Sequence, residues 1–187
     1  MSNDATGATN ARSTGADARN LGHLALGLTL LAYGLLSTGI LHGAGVGDAT
    51  RLVHVLGGIT LFFAGIWQLR GGEGFSGTAF TSLAAFWMTW SVAGGAHKNA
   101  AGLFLLLWAL LALTLTAASW GAGLLSRAVY GLLTLSLVLA AVAMFGGYGG
   151  LAKAAGWIAA LSGLAAWYWA TSALSNGSWG KVSLPVK

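Results

Sequence analysis

FSGTAFTSLAAFWMTW, residues 75–90, is a stretch without a charged residue, and it carries two different faces. Small or hydroxyl-bearing residues recur at the three-, four- and seven-residue intervals of one α-helical face, namely Thr78, Thr81, Ser82 and Ala85. The other side carries the bulky residues Phe80, Leu83, Phe86 and Trp90. This pattern predicts a membrane helix with a slim, weakly polar side and a bulky side suited to lipid or to packing.

The rest of the chain has the same character. Of its 187 residues, 56% are hydrophobic and only 7% are charged, which is outside the range of soluble proteins. A spanning helix needs about 20 apolar residues to cross roughly 30 Å of hydrocarbon. Six such blocks lie near residues 21–43, 51–69, 75–95, 99–120, 125–147 and 152–174. The sequence therefore predicts an all-α integral membrane protein, a bundle of six transmembrane helices in the plasma (inner) membrane.

The ends of the chain and its basic residues predict the domain limits and the orientation. Residues 1–20 are polar and of low complexity, which is typical of a disordered tail and not of a signal peptide. The transmembrane domain is predicted at 21–175 and a C-terminal tail at 176–187. With six spans, six of the nine Lys and Arg residues share the side of both termini, so both termini are predicted to be cytoplasmic. These basic residues are scattered singly, which argues against nucleic acid as a partner.

Several kinds of chemistry have no support in the sequence. The chain has no cysteine, which excludes disulfides, thiolate metal sites and a cysteine nucleophile. There is no acid pair, nucleophile motif or metal-ligand spacing, so we expect neither an enzyme nor a cofactor. No charged residue lies near the centre of a predicted span, whereas ion-coupled carriers usually place a titratable group there. This favours passive conduction, or cotransport that uses no protein carboxylate.

Two further helices carry a face of small residues. The last span has Gly156, Ala159, Gly163, Ala166 and Ala170 on one face, a pattern that predicts close helix packing. In the first and third spans the equivalent faces also carry hydroxyls. A path for a small polar solute needs hydrogen-bonding groups without deep charge. The predicted wall of such a path contains Thr29, Tyr33, Thr78, Thr81 and Ser82.

Other functions stay open from the residues alone. An uncharged path would also admit neutral solutes such as ammonia, urea or water. His42 and His54 map near the same predicted membrane surface, where two histidines could hold a haem in a redox protein or tune a vestibule with pH. In a non-transporting scaffold or sensor, the small-residue faces would serve packing alone.

Three stretches resemble a known family. They are AGIWQLRGGEGFSGTAFTSLAAFW (residues 64–87), AGWIAALSGLAAWYWA (155–170) and the closing NGSWGKVSLPVK (176–187). Together they resemble the acetate uptake transporter family, small microbial permeases for acetate and succinate. The resemblance implies a homo-hexamer whose protomers each carry a pathway, pinched by bulky hydrophobic side chains of the first, third and fifth helices.

The resemblance also implies particular pathway residues. The third-helix pinch residue is Leu83, which directly follows the motif AFTS (residues 79–82) that contains Phe80. The first-helix residue is Leu28 or Thr29, and the fifth-helix residue is Leu133. The family's opening motif begins here at Asn20 but lacks both of its prolines. Gln68 stands where the family has glutamate, and Leu83 where it has tyrosine. We therefore expect a transporter or channel for acetate and related small monocarboxylates, and succinate as a further candidate, which cross as the neutral acid or with a proton.

Overall fold

The computed structural model describes residues 3–41, 43, 46–93 and 96–179, which are helical apart from short connections. The elements are α1 (Asn3–Thr38), α2 (Val46–Val53), a π-helical segment (His54–Thr60), α3 (Leu61–Arg70), α4 (Gly74–Ala93), α5 (Lys98–Ala118), a 3-10 turn (Ser119–Gly121), α6 (Leu124–Gly146) and α7 (Gly149–Trp179). Because α2, the π segment and α3 follow one another without a gap, each of the six predicted apolar blocks coincides with helical structure.

The length and hydropathy of the helices confirm a helical membrane protein. In the described ranges, three stretches are long and apolar enough to cross a membrane. They are Ala18–Thr38 with a mean hydropathy of 1.4, and Lys98–Gly121 and Leu124–Gly146 with 2.2 each. Tight glycine turns end some of these helices, as at Gly147, whose φ of 68° is left-handed.

The N-terminal tail differs from its prediction. Helix α1 begins at Asn3, so most of the stretch predicted to be disordered is helical. A physical reason is that an apolar helix already supplies the nucleus, and adding residues to it costs far less than starting a helix. At the other end, α7 continues to Trp179, and the closing family motif at residues 180–187 lies outside the described residues.

Helices α1 and α7 lie against each other along most of their length. A Cβ atom built on Gly34 would lie 2.6 Å from the Ala160 nitrogen, and one built on Gly163 would lie 2.7 Å from the Gly27 oxygen. Only glycine permits backbones to approach so closely. The predicted packing role of the small-residue face on the last helix is thereby confirmed.

The other helices surround a space filled by large side chains. Helix α6 packs on α5 and α7, and α4 packs on α3, but within the described ranges the backbones of α4 and α6 do not approach each other. Buried side chains of one continuous apolar core occupy the interior: Leu26, Leu30, Phe80, Leu83, Trp87, Tyr130 and Leu133.

Candidate functional site

The bulky face of α4 points into this interior. Phe80, Leu83, Trp87 and Trp90 are each at most 3% exposed. Phe86, on the same side, stacks on Phe104 of α5 with ring centroids 5.7 Å apart. The aromatic side chains thus fill the space between α4 and its neighbours, and the bulky face does not turn towards lipid.

The hydroxyl-bearing face of α4 does not lie where the sequence placed it. Thr78 is exposed on the outside of the protomer. Thr81 lies over α3, where a Cβ atom on Gly65 would come within 2.6 Å of the Thr81 nitrogen. Ser82 donates its hydroxyl hydrogen to the Thr78 carbonyl over 2.5 Å. This face is a helix contact because Gly65 lets α3 approach it closely, and the tight contact leaves no room for a solute beside Thr81.

Leu28 and Thr29, the two alternatives predicted for the first-helix pinch, differ in burial. Leu28 is 45% exposed, whereas Thr29, near the middle of the stretch Ala18–Thr38, is fully buried. A Cβ atom on Gly57 of the π segment would lie 2.7 Å from Thr29 Cγ2 and 2.8 Å from Trp87 Cδ1. Both side chains therefore rest on the same point of the π segment, and of the two alternatives Thr29 is the one that faces the interior.

Thr29 and Trp87 bring opposite hydrogen-bonding groups to this point. The Thr29 hydroxyl donates its hydrogen to the Ala25 carbonyl over 2.6 Å, which leaves only lone pairs for another group. Trp87 Nε1 is a buried donor without a hydrogen-bond partner. We call Thr29, Leu83, Trp87 and Leu133 the pinch.

Helix α6 contributes to the same core. Leu133 is 2% exposed and belongs to the same core as Leu83 and Phe80. One helical turn earlier, Tyr130 is fully buried, its ring is edge-on to Phe75 at 5.6 Å, and its hydroxyl is without a partner. The structure thus brings Phe80, Leu83 and Leu133 into one core. Thr29 is buried and meets the core residue Trp87 at Gly57, whereas Leu28 and Thr78 are exposed.

A cavity of about 200 Å³ lies between the C-terminal half of α1 and helices α5, α6 and α7. Tyr33, Ser37, Ser136 and Tyr148 bring hydroxyls to an otherwise apolar lining, and we call this space the hydroxyl cavity. Ser37 donates to the Tyr33 carbonyl over 2.6 Å, and Ser136 donates to the Ala155 carbonyl over 2.9 Å. The Tyr33 ring lies 5.3 Å from the Trp87 ring, so the hydroxyl cavity borders the pinch. Sequence reasoning missed Ser136, whose only signal was a hydroxyl in the apolar fifth block.

A polar cluster lies near the middle of α1, at the start of its apolar stretch Ala18–Thr38. Nη2 of Arg19 lies 2.6 Å from Oε2 of Glu73, which ties α1 to the connection between α3 and α4. Asn20 is half-buried beside this ion pair, whereas His23 is only 3% exposed. We call Arg19, Asn20, His23 and Glu73 the α1 mouth.

The His23 ring is enclosed by aromatic rings. Phe80 lies edge-on at 5.0 Å and Trp169 lies tilted at 4.0 Å. Sequence reasoning placed His23 at the start of a helix and gave it no role. The available signal was a histidine within the apolar run LGHLAL (residues 21–26). It stands at a position where the family's opening motif has one of its two prolines.

Of the other histidines, the structure describes His54 and His97. His54 begins the π segment and is hydrogen bonded through Nδ1 to the Ser91 hydroxyl of α4. His42, its predicted partner for a haem, lies outside the described residues. Among the residues that are described, no group of three or more His, Cys, Asp or Glu could hold a metal ion.

The interior is uncharged. The buried polar residues of the described ranges are His23, Gln68 and eight serines and threonines, with no Lys, Arg, Asp or Glu among them. An uncharged, hydroxyl-bearing interior enclosed by apolar helices is the architecture of a membrane channel or transporter.

Comparison with known proteins agrees with this class. The sequence profile of the GPR1/FUN34/yaaH family matches residues 4–186, so the chain belongs to this family. The resemblance found in the sequence is thereby confirmed.

Individual relatives share much of the chain. The succinate-acetate/proton symporter SatP of Escherichia coli (strain K12) is 27% identical over 175 residues, which cover 89% of this chain and 92% of that protein. Ammonia transport outward protein 2 of Saccharomyces cerevisiae is 30% identical over 126 residues, 60% of this chain and 45% of that protein. The solved structure of the bacterial acetate channel SatP has the same fold, with a TM-score of 0.80, 24% identity, and coverage of 91% of this chain and 98% of the other.

Proposed function

We propose that the chain is a membrane transporter for acetate and related small monocarboxylates, which cross the pinch as the neutral acid. All six helical blocks span the plasma (inner) membrane, both termini are cytoplasmic, and the assembly is a homo-hexamer with one path in each protomer. The symporter and channel names of the relatives support the substrate class. The path leads from the α1 mouth through the pinch to the hydroxyl cavity.

The observation that carries the neutral-acid mechanism is the direction of the hydrogen bonds along this path. Moving a bare carboxylate into an apolar interior is prohibitively costly without compensating charge. The pinch and the hydroxyl cavity contain no cation. The hydroxyls of Thr29, Ser37 and Ser136 donate to carbonyls of the helices, so they offer a solute only lone pairs.

A neutral carboxylic acid complements these groups better than its anion. Its O–H donates to a lone pair such as that on Thr29, and its C=O accepts from a donor such as Trp87 Nε1. A carboxylate has no hydrogen to donate and would face the lone pairs of the Thr29, Ser37 and Ser136 hydroxyls. Succinate must lose two charges to follow the same route, so we expect it to cross more slowly than acetate.

The test is uptake of labelled acetate into proteoliposomes at constant total acetate, with an external pH of about 7 and then of about 5. Uptake by protein-free liposomes is subtracted, because acetic acid also permeates lipid. We expect the protein-dependent uptake to increase at the lower pH, since carboxylic acids with a pKa near 4 to 5 gain neutral form there. Uptake that is independent of pH would contradict passage as the neutral acid, and absence of protein-dependent uptake would contradict acetate transport itself.

Ammonia is the second candidate substrate. Its N–H groups can donate to the same lone pairs, and one relative is named as an ammonia transport protein. Competition separates the two substrates. Inhibition of the protein-dependent acetate uptake by propionate, but not by ammonium at the same pH, supports the monocarboxylate; the reverse result supports ammonia.

A further inference from the structure

We propose that Arg19 and His23 form a binding site for the carboxylic acid at the α1 mouth, in which His23 accepts the proton of the acid. This inference rests on the proposed function and adds a place where the acid is held and its proton released. Two unpartnered nitrogen atoms on one face of α1 carry the argument.

The first atom is Nε2 of His23. The other ring nitrogen, Nδ1, lies 2.9 Å from the Arg19 carbonyl oxygen. Because a carbonyl oxygen only accepts, Nδ1 must carry a hydrogen, and in the neutral ring Nε2 then carries a lone pair. This Nε2 is buried and has no partner, in a side chain that is 3% exposed. A buried acceptor without a partner is destabilising, so it marks a place where a hydrogen-bond donor is missing.

The second atom is Nε of Arg19. Arg19 is paired with Glu73 through Nη2, but its Nε–H is buried and has no partner. Arg19 and His23 are four residues apart on α1, and side chains at this interval lie on the same helical face. The site therefore presents a donor at Arg19 and an acceptor at His23 on the same face of α1.

This pair matches the two oxygens of a carboxyl group. The carbonyl oxygen of the acid accepts from Arg19 Nε–H, while its hydroxyl donates to His23 Nε2. When the acid O–H bond breaks and the N–H bond forms at Nε2, the O–H electron pair stays on the carboxylate. The products are an imidazolium and a carboxylate joined by charge-assisted hydrogen bonds. The imidazolium then passes the proton to cytoplasmic water, and the anion leaves.

Burial and the Arg19 charge disfavour an imidazolium at His23, so the carboxylate left on the bound acid must supply its counter-charge. Helices α4 and α7 present Phe80 and Trp169 to the ring, and neither side chain titrates. From the connection between α3 and α4, Glu73 faces Arg19, and Arg70 at the end of α3 is exposed. The Phe80 ring covers the site: a Cβ atom on Gly22 would lie 2.5 Å from Phe80 Cδ2, so glycine makes room for the ring.

The first test compares His23→Gln with the matched control His97→Gln in the proteoliposome assay. Glutamine retains a hydrogen-bond acceptor but cannot take a proton. We expect His23→Gln to weaken the apparent affinity for acetate by about tenfold and to flatten the pH dependence of uptake. His97 is exposed at the start of α5, and its variant should behave as wild type. Uptake by His23→Gln with the affinity and pH profile of wild type would overturn the proposal.

The second test uses the unmodified protein, so it does not depend on the folding of a variant. In detergent, the protein labelled with ¹⁵N-histidine is titrated with acetate near neutral pH and followed by NMR. We expect the signals of one histidine to change from a neutral ring with hydrogen on Nδ1 to an imidazolium. Unchanged histidine signals at acetate concentrations that saturate uptake would overturn the proposal.

Arg19→Lys distinguishes the contribution of Arg19 Nε from that of His23 Nε2. Lysine retains the positive charge opposite Glu73 but lacks the Nε–H donor. We expect weaker acetate affinity with the wild-type pH profile, because His23 still accepts the proton. Failure of the site is distinguishable from failure of the proposed function: without the function, the wild type shows no protein-dependent acetate uptake at any pH.

Discussion

The two faces of α4 have roles opposite to those that their chemistry suggests. Its aromatic and leucine face encloses the interior around the pinch, whereas its hydroxyl-bearing face packs on α3 or is exposed. A hydroxyl that donates to the carbonyl four residues earlier, as Ser82 does, is already satisfied by its own helix. The small size of such a residue then matters more for its role in packing than its polarity does. In a membrane helix, hydroxyl-bearing residues can thus mark a packing surface as readily as a solute path.

The largest expected effect tests the packing role of the hydroxyl-bearing face. Gly65→Val places two methyl groups where the Thr81 backbone already leaves no space. We expect destabilisation at the upper end of the about 1–3 kcal/mol typical of overpacking, measured as a lower melting temperature and a lower yield of folded protein. The matched control is Gly74→Val, because no atom lies within 4 Å of a Cβ atom there. Equal melting temperatures for the two variants would mean that this face is not tightly packed.

The second effect tests the interior at the pinch. Thr29→Val keeps the shape of the side chain but removes the lone pairs, so we expect acetate uptake to fall by about tenfold in folded protein. Thr114→Val is the control, since Thr114 also donates to the carbonyl four residues earlier, over 3.0 Å, but is exposed on α5. Uptake by Thr29→Val equal to that of the control would remove Thr29 from the path.

A smaller effect concerns the width of the pinch. Leu83→Tyr replaces leucine by a larger, aromatic side chain at a position that is 2% exposed. We expect a severalfold decrease in acetate uptake and a greater decrease for propionate, since the longer acid needs more room. The ratio of the two uptakes is the measurement, and Leu113→Tyr, at a side chain that is 53% exposed, is the control. An unchanged ratio in Leu83→Tyr would place the narrowest point elsewhere.

The smallest effect is expected for Thr81→Val. The Thr81 hydroxyl is buried over Gly65 and has no hydrogen-bond partner, so a methyl group should be tolerated or slightly stabilising. We expect unchanged acetate uptake and a melting temperature equal to or above that of wild type. A marked loss of uptake with an intact fold would show that the hydroxyl-bearing face of α4 does line a path.

The helices could be predicted because local hydrophobicity determines them. The six apolar blocks end within a few residues of the helices, except for the first twenty residues and the C-terminal end of α7. The small-residue face of α7 was also interpreted correctly, because Gly156 and Gly163 have no side chain that could serve another purpose.

The orientation of α4 could not be predicted from its own pattern. With few charges to mark the side exposed to water, both faces are compatible with burial, and the choice depends on Gly65 in another helix.

The π segment was missed for a related reason, since His54–Thr60 reads as an ordinary apolar helix. Its π geometry accompanies the contact of Gly57 with Thr29 and Trp87, which no single-helix pattern reveals. His23 was missed because its burial depends on Phe80 and Trp169 of distant helices.

The glycine contacts between α1 and α7 have a mechanical consequence. They join the first three helical blocks to the last three along a seam in which backbones interlock, and such a seam resists sliding. On the far side, α4 meets α5 mainly through flat rings such as Trp90 and Phe104, which are stacked with centroids 5.8 Å apart. Stacked rings can slip past one another without breaking a hydrogen bond. We therefore expect α4 and α5 to shift relative to each other more readily than α1 and α7 do.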